Sequence, residues 1–152
     1  DIAIGISRLF GHRIIENFYY PFLAPNIREY WKRWHISLSE WSFRNIYFPA
    51  LIKTKSSFLP LYLVMVSIGL WHALSLSWFL WAIHHASGMT VVSLAQRFIN
   101  PHKYVLYALY PLRTLTNLVF ASAGFAFVFF QDHELATKTY ISIALMPFEI
   151  FK

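Results

Sequence analysis

Uncharged, mostly apolar runs alternate with short charged segments along this chain. Residues 56–96 contain no Lys, Arg, Asp or Glu, and residues 115–130 form a second apolar run that extends back through 104–112 across Arg113. A membrane helix needs about 20 residues, so the first run is long enough for two crossings, or for one crossing and a re-entrant segment. The pattern therefore predicts an all-α protein with polytopic membrane helices.

Proline residues and polar segments divide these runs into predicted helices. Pro60 fits the first turn of a helix that either continues through His72 or breaks there, because a proline in the first turn leaves no extra N–H unsatisfied. A second membrane helix is predicted at 77–98. A third is predicted at 104–130, with a kink at Pro111.

The segment before the apolar runs follows a different pattern. Residues 1–11 predict the end of a helix that stops at Gly11, and residues 12–25 predict a connecting loop. Asn26 and Glu29 are spaced as in a capping box, which predicts a helix start. Large apolar side chains then follow at spacings of three, four and three, namely Trp31, Trp34, Leu38 and Trp41. They would share one face, so we expect an amphipathic helix lying in the membrane interface.

Composition and charge support the membrane interpretation. Hydrophobic residues make up 57% of the chain and charged residues 13%, whereas soluble domains carry about 25% charged residues. Eight of the thirteen Lys and Arg residues lie in 1–55, interleaved with Trp and Tyr. The positive-inside rule then places 26–55 on the cytoplasmic side, near lipid head groups, and we expect no nucleic-acid partner. The chain has no Cys, which excludes thiolate chemistry within it.

Two histidines that each follow a tryptophan are the candidate chemistry. Trp34-His35 lies in a basic and aromatic block, and Trp71-His72 lies inside the uncharged run. A neutral imidazole can accept a proton near pH 7, and ionisable groups at membrane depth are usually functional. A hydroxyl nucleophile needs such a base, so we predict that His72 is a general base. His35 can orient it only if the fold brings the two residues together.

The motifs around these histidines resemble a known family. The block at 30–39 (YWKRWHISLS) with Trp41, preceded by 8–11 (RLFG) and 16–18 (ENF), resembles the membrane-bound O-acyltransferases (MBOAT). Within that family the bacterial alginate O-acetyltransferase and D-alanyl transfer branch is the most similar. A second signature is similar at 69–72 (GLWH), Ser75, Trp81 and His85. This resemblance extends from residue 1 to about Gly88, and Ala73 and Leu76 depart from its pattern.

The resemblance implies a specific activity and location. It implies transfer of an acyl group, with acetyl the expected one, from a coenzyme A or carrier-protein thioester to a hydroxyl of a polysaccharide or other envelope acceptor. No bound cofactor or metal is implied, and periplasmic or extracellular acylation proteins are implied as partners. The implied location is the bacterial inner membrane, as a multi-pass protein. It assigns His72 as catalytic and His35 as a second polar residue, supported by Arg33, Trp34, Trp71, Ser75 and His85.

We expect the chain to be one membrane-domain fragment, residues 1–152, from the C-terminal part of a larger MBOAT-type helical bundle. Its predicted parts are a loop and interfacial helix (1–55), histidine-bearing membrane helices (56–100), and a further membrane helix with a truncated end (101–152). The start without Met and the end inside an apolar run favour this interpretation. Alone, it is expected to be inactive, because a tunnel built from several helices would lack walls.

Two other classes stay open at this point. A histidine-liganded metal or haem membrane protein would use His72 with His84 or His85, although 56–96 contains no carboxylate and no HExxH spacing. A membrane transporter would need polar residues along a path through several helices. The polar groups here concentrate instead at two histidine motifs, which favours a reaction site.

Overall fold

The computed structural model describes residues 2–99, 101–130 and 133–149, and this part of the chain is helical without any β-strand. The all-α prediction is confirmed. The helices are α1 (Ile2–Leu9), α2 (Ile27–Trp31), α3 (Ile36–Ser42), α4 (Phe48–Thr54), α5 (Leu59–His72), α6 (Leu76–Phe98), α7 (Lys103–Ala108), α8 (Tyr110–Phe129) and α9 (His133–Glu149). A 3₁₀ turn at Pro21–Leu23 precedes α2, and a π-helical turn at Phe43–Tyr47 joins α3 to α4.

The core of the fold is a hairpin of α5 and α6, with α8 packed on α6 and α9 packed on α8. Small residues allow the helices to approach closely. Gly69 on α5 faces the main chain of α6, where a Cβ would lie 2.6 Å from the carbonyl oxygen of Trp78. Gly88 on α6 lies under the ring of Phe120 on α8, which a Cβ would overlap. Both glycines therefore set the spacing of the three helices.

Local signals predicted most of the breaks between helices. α1 is followed by Gly11, which has φ 76°, and Pro60 lies in the first turn of α5. α5 ends at His72, so of the two alternatives for this helix the structure has the break. The predicted third membrane helix is divided between α7 and α8 at Leu109, and Pro111 lies in the first turn of α8.

The prediction of one amphipathic helix over 26–41 is wrong. α2 ends at Trp31 and α3 begins at Ile36, because His35 between them has φ 47°, in the left-handed region that an α-helix excludes. Trp31 is buried, whereas Trp41 is 57% exposed, so the apolar side chains do not share one face. Within this segment, α2 packs against α6 and α8. The predicted N-cap is confirmed, since Asn26 Oδ1 accepts the N–H of Glu29 at 3.0 Å.

Two long-range hydrogen bonds attach the loop before α2 to α8. The buried amide Nδ2 of Asn117 donates to the carbonyl oxygen of Ala24 at 2.9 Å. The hydroxyl of Tyr110 donates to the carbonyl oxygen of Leu23 at 2.6 Å. Ala24 itself is fully buried. The N-terminal segment is therefore held against α8, which itself packs on α6.

Within the described residues, α8 has both the length and the apolar composition of a membrane span. α5 is apolar but has only 14 residues. α6 has 23 residues, which at 1.5 Å per residue is enough for a hydrocarbon core of about 30 Å, yet it carries polar side chains at both ends and near its middle. One clear span is thus present in the described part of the chain, and the multi-pass arrangement stays a prediction.

Candidate active site

His72 is the last residue of α5 and lies at the turn into α6. Its imidazole lies face to face on the indole of Trp78, with ring centroids 4.3 Å apart and planes 13° apart. The indole of Trp71 lies edge-on to it at 4.9 Å. His72 is exposed in this chain. A third ring, the indole of Trp81, lies 6.4 Å away, so the imidazole is held by aromatic neighbours while part of it stays exposed.

The turn after His72 brings Trp78 to this position. Ala73 has an extended backbone that ends α5, and Ser75 caps α6, its Oγ accepting the N–H of Trp78 at 3.4 Å. Trp78 therefore lies in the first turn of α6. Gly69 allows the two helices to approach at this level. The predicted supporting residues Trp71 and Ser75 thus lie beside His72, one as a ring contact and one as a helix cap.

The other motif lies in the turn between α2 and α3, and its tryptophan is the centre of an aromatic cluster. The indole of Trp34 stacks on Tyr30, with centroids 5.6 Å apart and planes 14° apart, and contacts the edge of Phe18 at 4.9 Å. Burial raises the pKa of the Tyr30 hydroxyl to about 12, so that hydroxyl stays protonated. Trp34 therefore holds the turn in place by packing.

Main-chain hydrogen bonds from the preceding loop hold the same turn. The carbonyl oxygen of Arg33 accepts the N–H of Tyr19 at 2.9 Å, and that of Asn17 accepts the N–H of Ile36 at 3.0 Å. The side chain of Asn17 also accepts the N–H of Ser37 at 2.9 Å. Arg33, a predicted supporting residue, therefore contributes to this turn through its carbonyl oxygen. These bonds fix the main chain on both sides of His35, at Arg33 and at Ile36, and so stabilise its left-handed conformation.

The fold brings the two histidine motifs near each other. The indole of Trp81 lies between them, with its ring centroid 6.4 Å from that of His72 and 5.8 Å from that of Trp31, and no hydrogen bond joins His35 to His72 in the described part of the chain. Nδ1 of His35 is buried and has no hydrogen-bond partner among the described residues. Support of His72 by His35 therefore stays a prediction.

A continuous series of aromatic contacts also links the motifs. The indole of Trp81 contacts two other rings, with its centroid 5.3 Å from that of Trp78 and 4.6 Å from that of the His85 imidazole. His85 in turn contacts Trp31 at 5.6 Å, just before the Trp34-His35 turn. His85 is 1% exposed, and neither of its ring nitrogens has a hydrogen-bond partner among the described residues. His85 therefore lies in the packed core between the motifs and away from any open surface.

His84 has a structural environment. Because a carbonyl oxygen can only accept, Nε2 of His84 donates to the carbonyl oxygen of Phe120 at 2.9 Å. In the neutral ring Nδ1 then accepts the hydroxyl of Tyr140, also at 2.9 Å. Both ring nitrogens are thus occupied, which leaves His84 no lone pair for a metal. Groups of three or more His, Cys, Asp or Glu that could hold a metal are absent from the residues described.

A cavity of about 910 Å³ lies between the α5–α6 hairpin and residues 28–47. Its inner wall is apolar and includes Met65, Ile68 and Met89. Its lining also contains four cationic side chains and one carboxylate, those of Arg28, Lys32, Arg44, Arg97 and Glu40. The positive charge favours an anionic group at this place.

Sequence reasoning missed two of the aromatic residues that form the site. Trp78 contacts His72, and Trp31 contacts both Trp81 and His85. The position of Trp78 had a signal, because Ser75 predicts a helix start and places position 78 in its first turn. No local sequence signal indicated that Trp31 would contact Trp81 and His85, because α2 and α6 meet only through tertiary packing.

The described residues form an all-helical chain with one apolar helix long enough to span a membrane, and His72 lies stacked on Trp78 at the turn between α5 and α6. No protein-family model matches the chain. It is 35% identical over 114 residues to the probable alginate O-acetylase AlgI of Pseudomonas aeruginosa, which covers 70% of this chain and 22% of that protein. It is 29% identical over 149 residues to the teichoic acid D-alanyltransferase of Bacillus subtilis, covering 91% of this chain and 36% of that protein.

A third relative is the peptidoglycan O-acetyltransferase of Helicobacter pylori, 33% identical over 94 residues that cover 60% of this chain and 18% of that protein. The chain belongs to the membrane-bound O-acyltransferase family, as its motifs predicted. It spans 18–36% of the length of these three relatives.

Proposed function

We propose that this chain forms the histidine-bearing part of an O-acyltransferase that moves an acyl group, with acetyl the expected one, from a thioester to a hydroxyl of a cell-envelope polymer. The observation that carries the proposal is the exposed imidazole of His72, stacked on Trp78 at the end of α5. The names of the relatives support the acceptor class, since they describe acetyl transfer to alginate or peptidoglycan and D-alanyl transfer to teichoic acid.

In this proposal the neutral imidazole of His72 accepts the proton of the acceptor hydroxyl while its oxygen bonds to the thioester carbonyl carbon. The tetrahedral oxyanion then re-forms the carbonyl, and the carbon–sulfur bond breaks. The leaving thiolate takes the proton from His72. The products are an ester and a thiol, and His72 is neutral again. No oxidant, reductant or metal is needed for the balance of these steps.

His35 is proposed as the supporting polar residue. Its imidazole belongs to the neighbouring motif, and its buried Nδ1 has no hydrogen-bond partner among the described residues, which leaves that nitrogen available to a polar group of a bound substrate. The aromatic core of Trp81, His85 and Trp31 supports both histidines by fixing the helices that hold them.

The donor is proposed to enter through the cavity with the cationic lining. Coenzyme A and carrier-protein thioesters both attach the thiol to a phosphate-bearing arm, and Arg28, Arg44 and Arg97 supply donors for such a phosphate. The positive-inside rule places this side in the cytoplasm of a multi-pass inner-membrane protein. Periplasmic or extracellular proteins that complete the acylation are proposed as partners. The chain is proposed to form a single membrane domain.

The test is acyl transfer by the full-length parent protein in membranes, from a radiolabelled acetyl donor to extracellular polysaccharide. His72→Ala is expected to lower transfer by at least about 100-fold, since general base catalysis contributes that much or more. His12→Ala is the matched control, because His12 is an exposed loop residue. Full transfer by His72→Ala would refute the base assignment. Uptake of the donor without any acylation by the native protein would favour the transporter alternative.

A further inference from the structure

Trp78 makes the closest ring contact to His72 and belongs to neither histidine motif. We propose that Trp78 is a positioning residue, whose indole face sets the plane of the His72 imidazole and stabilises the imidazolium as it forms. The inference rests on the proposed function of His72. It adds a residue that the chemistry would need and that the motifs do not contain.

The geometry of the pair carries the inference. Two rings 4.3 Å apart and 13° from parallel leave the imidazole little freedom to rotate. The face of an indole is electronegative, so it attracts a cation stacked on it more strongly than a neutral ring. In the proposed reaction His72 becomes a cation only after it has taken the acceptor proton. The stack therefore favours the state that forms on the way to the tetrahedral intermediate.

Trp78 is itself held from three sides. Its N–H is bonded to Ser75, and its carbonyl oxygen lies against Gly69. Its indole contacts the edge of Trp81, which is 4% exposed and belongs to the packed core. A ring fixed in this way can orient an accessible neighbour. The position of Trp78 is thus determined by the fold and would persist when His72 changes its protonation.

Steady-state acyl transfer by the full-length parent tests the role of Trp78. Trp78→Leu is expected to lower kcat about tenfold with less than about a twofold change in KM, because a cation–π contact acts on the charged state. Trp78→Phe keeps an aromatic face and should retain most of the native kcat. Phe79→Leu is the matched control, since Phe79 is the next residue, is 39% exposed and contacts no ring within the described residues.

The outcomes separate this inference from the proposed function. A native kcat in Trp78→Leu, with His72→Ala inactive, overturns the positioning role and leaves the base assignment intact. Full transfer by His72→Ala overturns both. If Trp78→Leu does not accumulate in membranes, Trp78→Met takes its place, because it also lacks an aromatic face and its flexible side chain adapts better to an irregular space.

A second readout does not depend on activity. In protein labelled with ¹³C-histidine, the Cε1–H signal of His72 is identified by its loss in His72→Ala. Stacking on Trp78 should shift this signal upfield by the ring current of the indole, and Trp78→Leu should move it downfield. An unchanged signal would show that the two rings do not stack in the whole protein and would overturn the inference.

Discussion

Gly69 lies directly against the main chain of Trp78. A Cβ at Gly69 would be 2.6 Å from the carbonyl oxygen of Trp78 and 3.1 Å from Cβ of Ala82. The nearer obstacle is backbone, so no side-chain rotation can relieve the overlap. This close approach of α5 and α6 sets the distance between His72 at the end of one helix and Trp78 at the start of the other.

Gly69→Ala should therefore separate the two helices. We expect a loss of about 1–3 kcal/mol in unfolding free energy, the usual cost of overpacking, and reduced acyl transfer because Trp78 moves away from His72. Thermal unfolding of the full-length parent in detergent measures the first effect. Gly5→Ala is the control, because Gly5 lies in α1 with no atom within 4 Å of the added Cβ. Equal melting temperatures for the two variants would contradict this account of the hairpin.

The hydrogen bond between His84 and Tyr140 connects α6 to α9 and should stabilise the fold. Tyr140→Phe removes the donor to Nδ1 of His84 and is expected to lower the unfolding free energy by about 1 kcal/mol. A double-mutant cycle with His84→Phe should give a coupling energy of about 0.5–1.5 kcal/mol. Tyr104→Phe at a position 67% exposed is the matched control. Additive effects of the two substitutions would show that the bond does not contribute.

The sequence predicted the parts of the fold whose causes are local. Pro60, Asn26 and Gly11 end or begin helices through their own backbone and side-chain chemistry, and the structure has breaks at or next to each of them. The helix over 26–41 was mispredicted because the apolar spacing is indeed helical, whereas the break at His35 is caused by contacts with residues distant in the sequence. The left-handed turn at His35 depends on hydrogen bonds from Asn17, which is distant in the sequence.

The candidate site was predictable to the same extent. The tryptophan–histidine motifs identified His72 and His35, because ionisable residues are conspicuous within apolar segments. Their proximity could not be derived from spacing, since it depends on how α2 packs against α6. The stack of Trp78 on His72 was hidden for the same reason, because it depends on the close approach at Gly69.

The buried hydrogen bond from Asn117 to Ala24 should control how firmly the N-terminal segment is attached to α8. Asn117→Leu leaves the carbonyl oxygen of Ala24 without this partner, so we expect a loss of about 1–3 kcal/mol. Hydrogen exchange of residues 12–25 should become faster as the loop detaches. Asn45→Leu is the control, because Asn45 is exposed and its amide bonds only to Trp41 one turn earlier. Unchanged exchange in Asn117→Leu would show that other contacts hold the loop.

The backbone and the imidazole of His35 can be tested separately, because His35 has φ 47°. Gly and Asn accept this conformation, whereas a β-branched residue opposes it. We expect His35→Val to lower the unfolding free energy by about 1–2 kcal/mol, and His35→Gly and His35→Asn to keep native stability. His102→Val is the matched control, since His102 is exposed with φ −58°.

Acyl transfer by the stable variants then decides what the His35 side chain does. If the imidazole of His35 supports the reaction at His72, His35→Gly and His35→Asn should both lose transfer although their turns are intact. Native transfer in His35→Gly would instead assign His35 a backbone role alone. In that case His72 would act without a second ionisable residue, and the left-handed turn would serve to place Trp34 against Tyr30.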